Sequence, residues 1–156
     1  MGKLIILRGP SGSGKTTIAN HLQDIHDAPY HEADAFFQRS WFIGNQENEY
    51  LFDATKLSSA HAWCRRGVEK HLFEGVPVVI VSNTSMTTRE MEPYFKFATE
   101  YGYDIEVIRT PGPWEAEVLH TRNTHSVPLA TIQKQIRKYK PYEGEEEWAD
   151  LSIFQQ

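Results

Sequence analysis

A three-layer α/β/α fold around a central parallel sheet is predicted by three observations. Apolar, β-branched runs alternate with helical patterns along the chain, the arrangement of consecutive βαβ units. The run Val78-Val79-Ile80-Val81 is apolar without interruption, as a strand covered on both faces must be. The first apolar run, Leu4-Ile5-Ile6-Leu7, meets a helical pattern through Gly9-Pro10-Ser11-Gly12-Ser13-Gly14-Lys15-Thr16, a complete G-x-x-x-x-G-K-[ST] loop.

The elements follow in order. Leu4 to Leu7 is the first strand, and a helix runs from Lys15 to about His26. Tyr30 to Ala33 suits a short second strand. Residues 38 to 53, with Gly44, Asn45 and Asn48, form an irregular insertion. Asp53 is placed to cap a longer helix whose buried face is Leu57, Ala60, Cys64, Val68 and Leu72. Gly75 and Pro77 end it before the third strand, Val78 to Val81. Thr87 with Glu90 forms a capping box for a helix carrying Met91, Tyr94, Phe95 and Ala98, which Gly102 stops. Tyr103 to Arg109 is the fourth strand. Pro111-Gly112-Pro113 breaks the chain. Trp114 to His125 reads as helical, and a last helix carries Ile132, Ile136 and Tyr139. From Pro141 an acidic tail follows, pinned by Trp148, Leu151 and Phe154.

Composition narrows the class. A chain of 156 residues with 40% hydrophobic residues suits one domain, residues 1–156, with one core. The single cysteine, Cys64, excludes an intrachain disulfide and sits where a core residue should. Neither a long apolar run nor a signal-peptide pattern is present, so a cytoplasmic protein without a membrane partner is expected. The net charge of −5 is unevenly spread. Glu143, Glu145, Glu146, Glu147 and Asp150 account for it in the tail, without a basic neighbour in sequence. Residues 118–142 carry Arg122, Lys134, Arg137, Lys138 and Lys140 and no acid. That stretch reads either as a basic surface for a polyanion or as a solvated helix face.

The loop carries the strongest chemistry. Gly9, Ser11, Gly12, Ser13, Gly14, Lys15, Thr16 and Thr17 are the expected nucleotide-binding residues. Backbone N–H groups of such a loop turn toward the phosphates, and the helix N-terminus adds positive potential. Lys15 would reach the β/γ-phosphate oxygens of ATP or another nucleoside triphosphate, and the Thr16 hydroxyl would serve Mg²⁺.

Three further positions bear on the reaction. The third strand ends Val81-Ser82-Asn83-Thr84 without a carboxylate, which argues against a hydrolysing motor. Asp34 follows the second strand, at the carboxyl edge where ligands of open α/β sheets bind. A kinase acting on a hydroxyl gains from such a base, whereas one acting on a phosphate acceptor does not. An N-cap or turn role is the alternative for Asp34. Arg122 lies in a segment, about residues 113–128, that can close as a helical lid; it reads as a charge-stabilising or a surface arginine.

Taken in order from residue 4 to 140, these pieces resemble the P-loop kinase family typified by phage polynucleotide 5′-hydroxyl kinase and its AAA-type relatives. The carriers are Leu7-Arg8-Gly9 with the loop, Asp34 followed by Phe36 and Phe37, Phe52-Asp53, and Ala60-His61-Ala62-Trp63. Pro77 through Thr84, Met91-Glu92-Pro93-Tyr94 and Tyr101-Gly102-Tyr103 extend the match, and Arg122-Asn123-Thr124-His125-Ser126-Val127-Pro128 is its most distinctive piece. The resemblance implies a kinase-type P-loop NTPase fold with the loop strand central. It also implies ATP and Mg²⁺ as cofactors, Lys15, Asp34 and Arg122 as catalytic residues with Asp34 as general base, and a DNA or RNA 5′ end as substrate.

The acceptor side departs from the family. Phe37 stands where the phage enzyme has an acceptor-binding arginine, and Asn83 stands where it has an acid. Phe37, Arg39, Asn83 and Thr84 are the acceptor-binding candidates. Phe36 or Phe37 could stack on a base, with core packing as the alternative. A small-molecule kinase and a nucleotide-binding regulatory module are the competing readings.

Overall fold

The computed structural model describes residues 2–38 and 52–155. Its centre is a five-stranded sheet in the order β2-β3-β1-β4-β5, made of β1 (Lys3–Arg8), β2 (Tyr30–His31), β3 (Val78–Ser82), β4 (Asp104–Arg109) and β5 (Glu146–Glu147). Every pairing is parallel. β1 is central, with Ile5 opposite Ile80 on one side and Glu106 on the other. The three-layer fold predicted from the sequence is the one observed.

The described residues form five α-helices: α1 (Lys15–His26), α2 (Leu57–Phe73), α3 (Thr88–Tyr101), α4 (Ala116–Arg122) and α5 (Leu129–Lys138). Side-chain alternation along the strands divides the core. Leu4, Ile6, Val79 and Val81 pack with Cys64 and Val68 of α2 and Met91 and Tyr94 of α3. Ile5, Leu7 and Ile80 face the other way, onto Ile18, Ala19 and Leu22 of α1. Each such fully buried aliphatic contributes roughly 1.5–3 kcal/mol. A third, smaller cluster joins α4 and α5 through Ala116, Leu119 and Ile132, backed by Trp114 and Val127. No helix among the described residues is long and apolar enough to cross a membrane.

The structure differs from the sequence expectations in five places. Strand β2 spans two residues, because Ala33–Gln38 turns into a 3-10 segment that brings Asp34 to the sheet's edge. Asp53 does cap, but it caps the 3-10 turn Ala54–Lys56, accepting from Thr55 N at 2.9 Å ahead of α2. Thr87 makes no side-chain cap; Glu90 instead reaches Lys138 on α5 at 3.1 Å. The helical segment after the proline break is confined to α4, seven residues. The tail is not simply solvated. It adds β5 beside β4, with Ile108 opposite Glu146, and its Glu145 has a basic partner far away in sequence, Arg8. Trp148 and Ile153 pack against the α1 layer, while Leu151 is exposed.

Cys64 is fully buried, as its helical spacing predicts, and its sulfur accepts from the Tyr94 hydroxyl at 3.5 Å.

Candidate active site

The loop between β1 and α1 sits at the carboxyl edge of the central strand, where parallel-strand geometry opens a crevice. Gly9 N–H donates to the Thr84 carbonyl at 3.1 Å, which ties the loop to the end of β3. Gly12 and Gly14 have φ of 81° and 103°, conformations that side chains rarely adopt. A Cβ on Gly12 would also stand 2.3 Å from the Leu119 carbonyl oxygen, so α4 packs its last turn directly on the loop.

The loop is braced by contacts at its back and side. The Ser13 hydroxyl is turned inward and accepts from Thr110 Oγ1 at 2.8 Å. Thr110 in turn accepts from the Trp114 indole at 3.1 Å. From α5, Gln135 accepts from Ser11 N at 2.9 Å and donates to Ser11 Oγ at 3.1 Å. Lys15 folds back, donating to the Gly9 and Pro10 carbonyls at 2.8 and 3.0 Å. Burial lowers the Lys15 pKa to about 8, and the nearby Asp34 and Glu32 carboxylates oppose that shift.

A cleft of about 1080 Å³ runs across this edge. Ser11 to Thr17 line it, together with Asp34, Asn83, Thr84 and Arg122. Thr16 and Thr17 are exposed within it, while Gly9 lies beneath. The fold therefore brings together residues distributed from position 11 to 122. Arg122 is exposed at the end of α4 and has no ion-pair partner among the described residues.

One acceptor-side expectation changes. Phe37 is 0% exposed and belongs to the core, edge-on to Phe36, so it presents no face to a ligand. Its apolar ring completes the layer under α2, which a solvent-facing aromatic could not do. Arg39 lies outside the described residues. Asn83 lines the cleft, but its carboxamide oxygen accepts from Ala33 N at 2.9 Å. It thereby fixes the turn that carries Asp34.

The arrangement as a whole is that of a P-loop cleft in which the glycine-rich loop after β1 and the Asp34 carboxylate after β2 stand on the same edge of the sheet, with the end of β3 between them. The chain belongs to the AAA domain family. The family's model matches residues 4–142. Human NEDD4-binding protein 2 is 29% identical over 143 residues, which cover 89% of this chain. The chain spans 8% of that relative's length. Among solved structures, a chain of the Pnkp1/Rnl/Hen1 RNA repair complex superimposes with a TM-score of 0.67 at 23% identity, over 88% of this chain and 43% of that one. The Mycobacterium tuberculosis APS kinase CysC, in complex with AMPPNP and APS, does so at 0.65 and 16% identity, over 99% of this chain and 92% of that one. These likenesses show that the fold is shared.

Within this AAA domain the sequence alone did not single out several cleft residues. Glu32 lines the cleft two residues before Asp34, and the Tyr30 hydroxyl donates to its carboxylate. Strand-like i, i+2 spacing was the available signal. His61 of α2 faces the same space. Burial lowers its pKa and Arg65 adds to that, while Asp34 and Glu90 oppose it. Ser82 lines the cleft with a buried hydroxyl that has no hydrogen-bond partner. Leu151 and Phe154, from the tail's last 3-10 turn, form the wall beside Gly14.

Proposed function

We propose that this domain is an ATP-dependent kinase that transfers the γ-phosphoryl group to a hydroxyl, with the 5′-hydroxyl of a DNA or RNA end as acceptor. The observation that carries this reading is that Asp34 and the loop lysine, Lys15, share one cleft, while β3 ends in Ser82 without a carboxylate. A carboxylate across from the phosphate cradle suits a hydroxyl nucleophile, whose proton must go to a base.

The residues divide the work. Backbone N–H groups of residues 11–16 and the N-terminus of α1 hold the phosphates. Lys15 exchanges its two loop carbonyls for β/γ-phosphate oxygens, which stabilise its proton. Asp34 accepts the acceptor's proton as the hydroxyl oxygen bonds to the γ-phosphorus, and the bond to the leaving ADP oxygen breaks. Arg122 at the lid's end stabilises charge on the transferring group. Mg²⁺, when bound, neutralises phosphate charge; Thr16 would offer its hydroxyl to it. The similarity to a chain of an RNA repair complex supports a polynucleotide acceptor, as do the basic residues of α5.

The test is end-labelling of 5′-hydroxyl oligonucleotides with γ-labelled ATP. Labelling that disappears in Asp34→Asn is the expected result. A second reading, a small-molecule acceptor, is favoured by one observation: the position of the family's acceptor-binding arginine is the buried Phe37. A nucleoside or sugar alcohol that outcompetes every oligonucleotide would decide for it.

A further inference from the structure

We propose that Glu32 anchors the water shell of the nucleotide's divalent cation, acting from β2 in place of the carboxylate that β3 lacks. The inference rests on the reading of the cleft as a nucleoside triphosphate site. In the β2–β3 register Tyr30 lies opposite Ile80 and His31 opposite Val81. Glu32 therefore leaves β2 alongside Ser82, the last residue of β3. Both line the cleft with Thr16.

Four features fit a hard, hydrated cation at this spot. Glu32 is held rather than free, because the buried Tyr30 hydroxyl donates to it. The same hydroxyl lies within reach of the Thr16 and Ser82 side chains, so four oxygen-bearing groups converge. Ser82 is 1% exposed and its Oγ makes no well-formed hydrogen bond, although the Tyr30 hydroxyl is within reach, so it can turn to a water of the cation's shell. Glu32 also lies close enough to Lys15 for its charge to favour the lysine's proton.

No cluster of three or more His, Cys, Asp or Glu exists among the described residues, so an all-protein cage is absent there. Mg²⁺ does not need one. It keeps several waters and takes one or two carboxylates together with substrate phosphates. The uncharged end of β3, Ser82 followed by Asn83, leaves room beside the cleft and offers the Ser82 hydroxyl. The carboxylate from the next strand fills the electrostatic role. Glu32 and Asp34 then have separate tasks: Glu32 toward Thr16 and the cation, Asp34 toward the acceptor.

The experiment uses the full chain and measures two equilibria. The first is AMPPNP affinity in EDTA. The second is Mn²⁺ affinity of the AMPPNP complex, read by the loss of free-Mn²⁺ paramagnetic resonance. In Glu32→Gln the Mn²⁺ affinity is expected to fall by about 10–100-fold, far more than any change in AMPPNP affinity in EDTA. Glu32→Asp should recover part of the loss. Tyr30→Phe keeps the carboxylate and removes its anchor, so a smaller loss is expected; it also serves if Glu32→Gln does not fold. Unchanged Mn²⁺ affinity in folded Glu32→Gln, or in Tyr30→Phe if the former does not fold, overturns the role of Glu32 and leaves the nucleotide reading intact. Failure of the wild type to bind AMPPNP at all overturns both.

Discussion

Arg8 and Glu145, 137 residues apart, form an ion pair of 2.7 Å behind the phosphate loop. Arg8 is 0% exposed and also donates from Nε to the Ser85 carbonyl at 2.9 Å. Tyr139 covers the guanidinium with its ring at 4.7 Å and donates its hydroxyl to Glu145. The pair ties the end of the loop strand to the tail that forms β5.

Removing one member leaves the other charge buried and unpaired. Glu145→Ala is therefore expected to destabilise the fold by about 3–5 kcal/mol. Burial pushes the Glu145 carboxyl up, but hydrogen bonds from Tyr139, Tyr142 N–H and Arg8 more than offset it, so its pKa is lowered. Its stabilisation is complete above the unfolded carboxylate range and is lost as pH falls through the folded value. Denaturant melts across the acid range should show a steeper loss in the wild type than in Glu145→Ala.

If the cleft binds a nucleotide as proposed, Lys15 should govern the alkaline side of that binding. With a pKa of about 8 in the free protein, it loses its proton as pH rises through that value. Phosphate oxygens favour the charged form, so binding takes up a proton there. Affinity for AMPPNP should weaken above about pH 8, and calorimetry at pH 9 in two buffers of different ionisation enthalpy should reveal the uptake. For folding the sign is opposite. The unfolded lysine holds its proton to higher pH, so this group penalises the fold less as pH rises from about 8 toward the ordinary lysine value of 10.5.

Asp34→Asn keeps the size of the side chain and removes the proposed base. Phosphoryl transfer should fall by roughly 10²–10⁴-fold while AMPPNP affinity changes little. Equal losses in binding and turnover would indicate a role in holding the nucleotide instead.

Arg122 has no ion-pair partner among the described residues, so its guanidinium can turn to the phosphates without breaking a salt bridge. Arg122→Ala should lower kcat by about 10³-fold or more with thermal stability unchanged. Lysine should rescue poorly, since it lacks the planar fork. A change in KM alone would assign the residue to substrate binding.

Phe37→Ala tests the corrected placement of that ring. A fully buried phenylalanine should cost about 3–5 kcal/mol of stability when truncated. An acceptor-stacking ring would leave stability intact and raise the acceptor's KM. The two outcomes separate cleanly in a melting curve.

Local signals were enough for the donor half of the site. The glycine-lysine loop, the long strands and the amphipathic faces of α2 and α3 are short-range patterns, and short-range sterics and periodicity dictate them. The alternation of such elements leaves few topologies, and the parallel sheet is among them. That Asp34 and Arg122 line the cleft was legible because they stand at strand and helix ends, on the edge where such clefts open.

Tertiary structure decided what depends on partners distant in sequence. A two-residue strand such as β5 has no period to detect, so the tail's docking on β4 emerges only from pairing. The Arg8–Glu145 pair, the burial of Phe37 beneath α2 and the presence of Glu32 and Ser82 in one cleft have the same origin. Each depends on which surfaces the folded chain brings together, a choice made by the packing of the whole core rather than by any local segment.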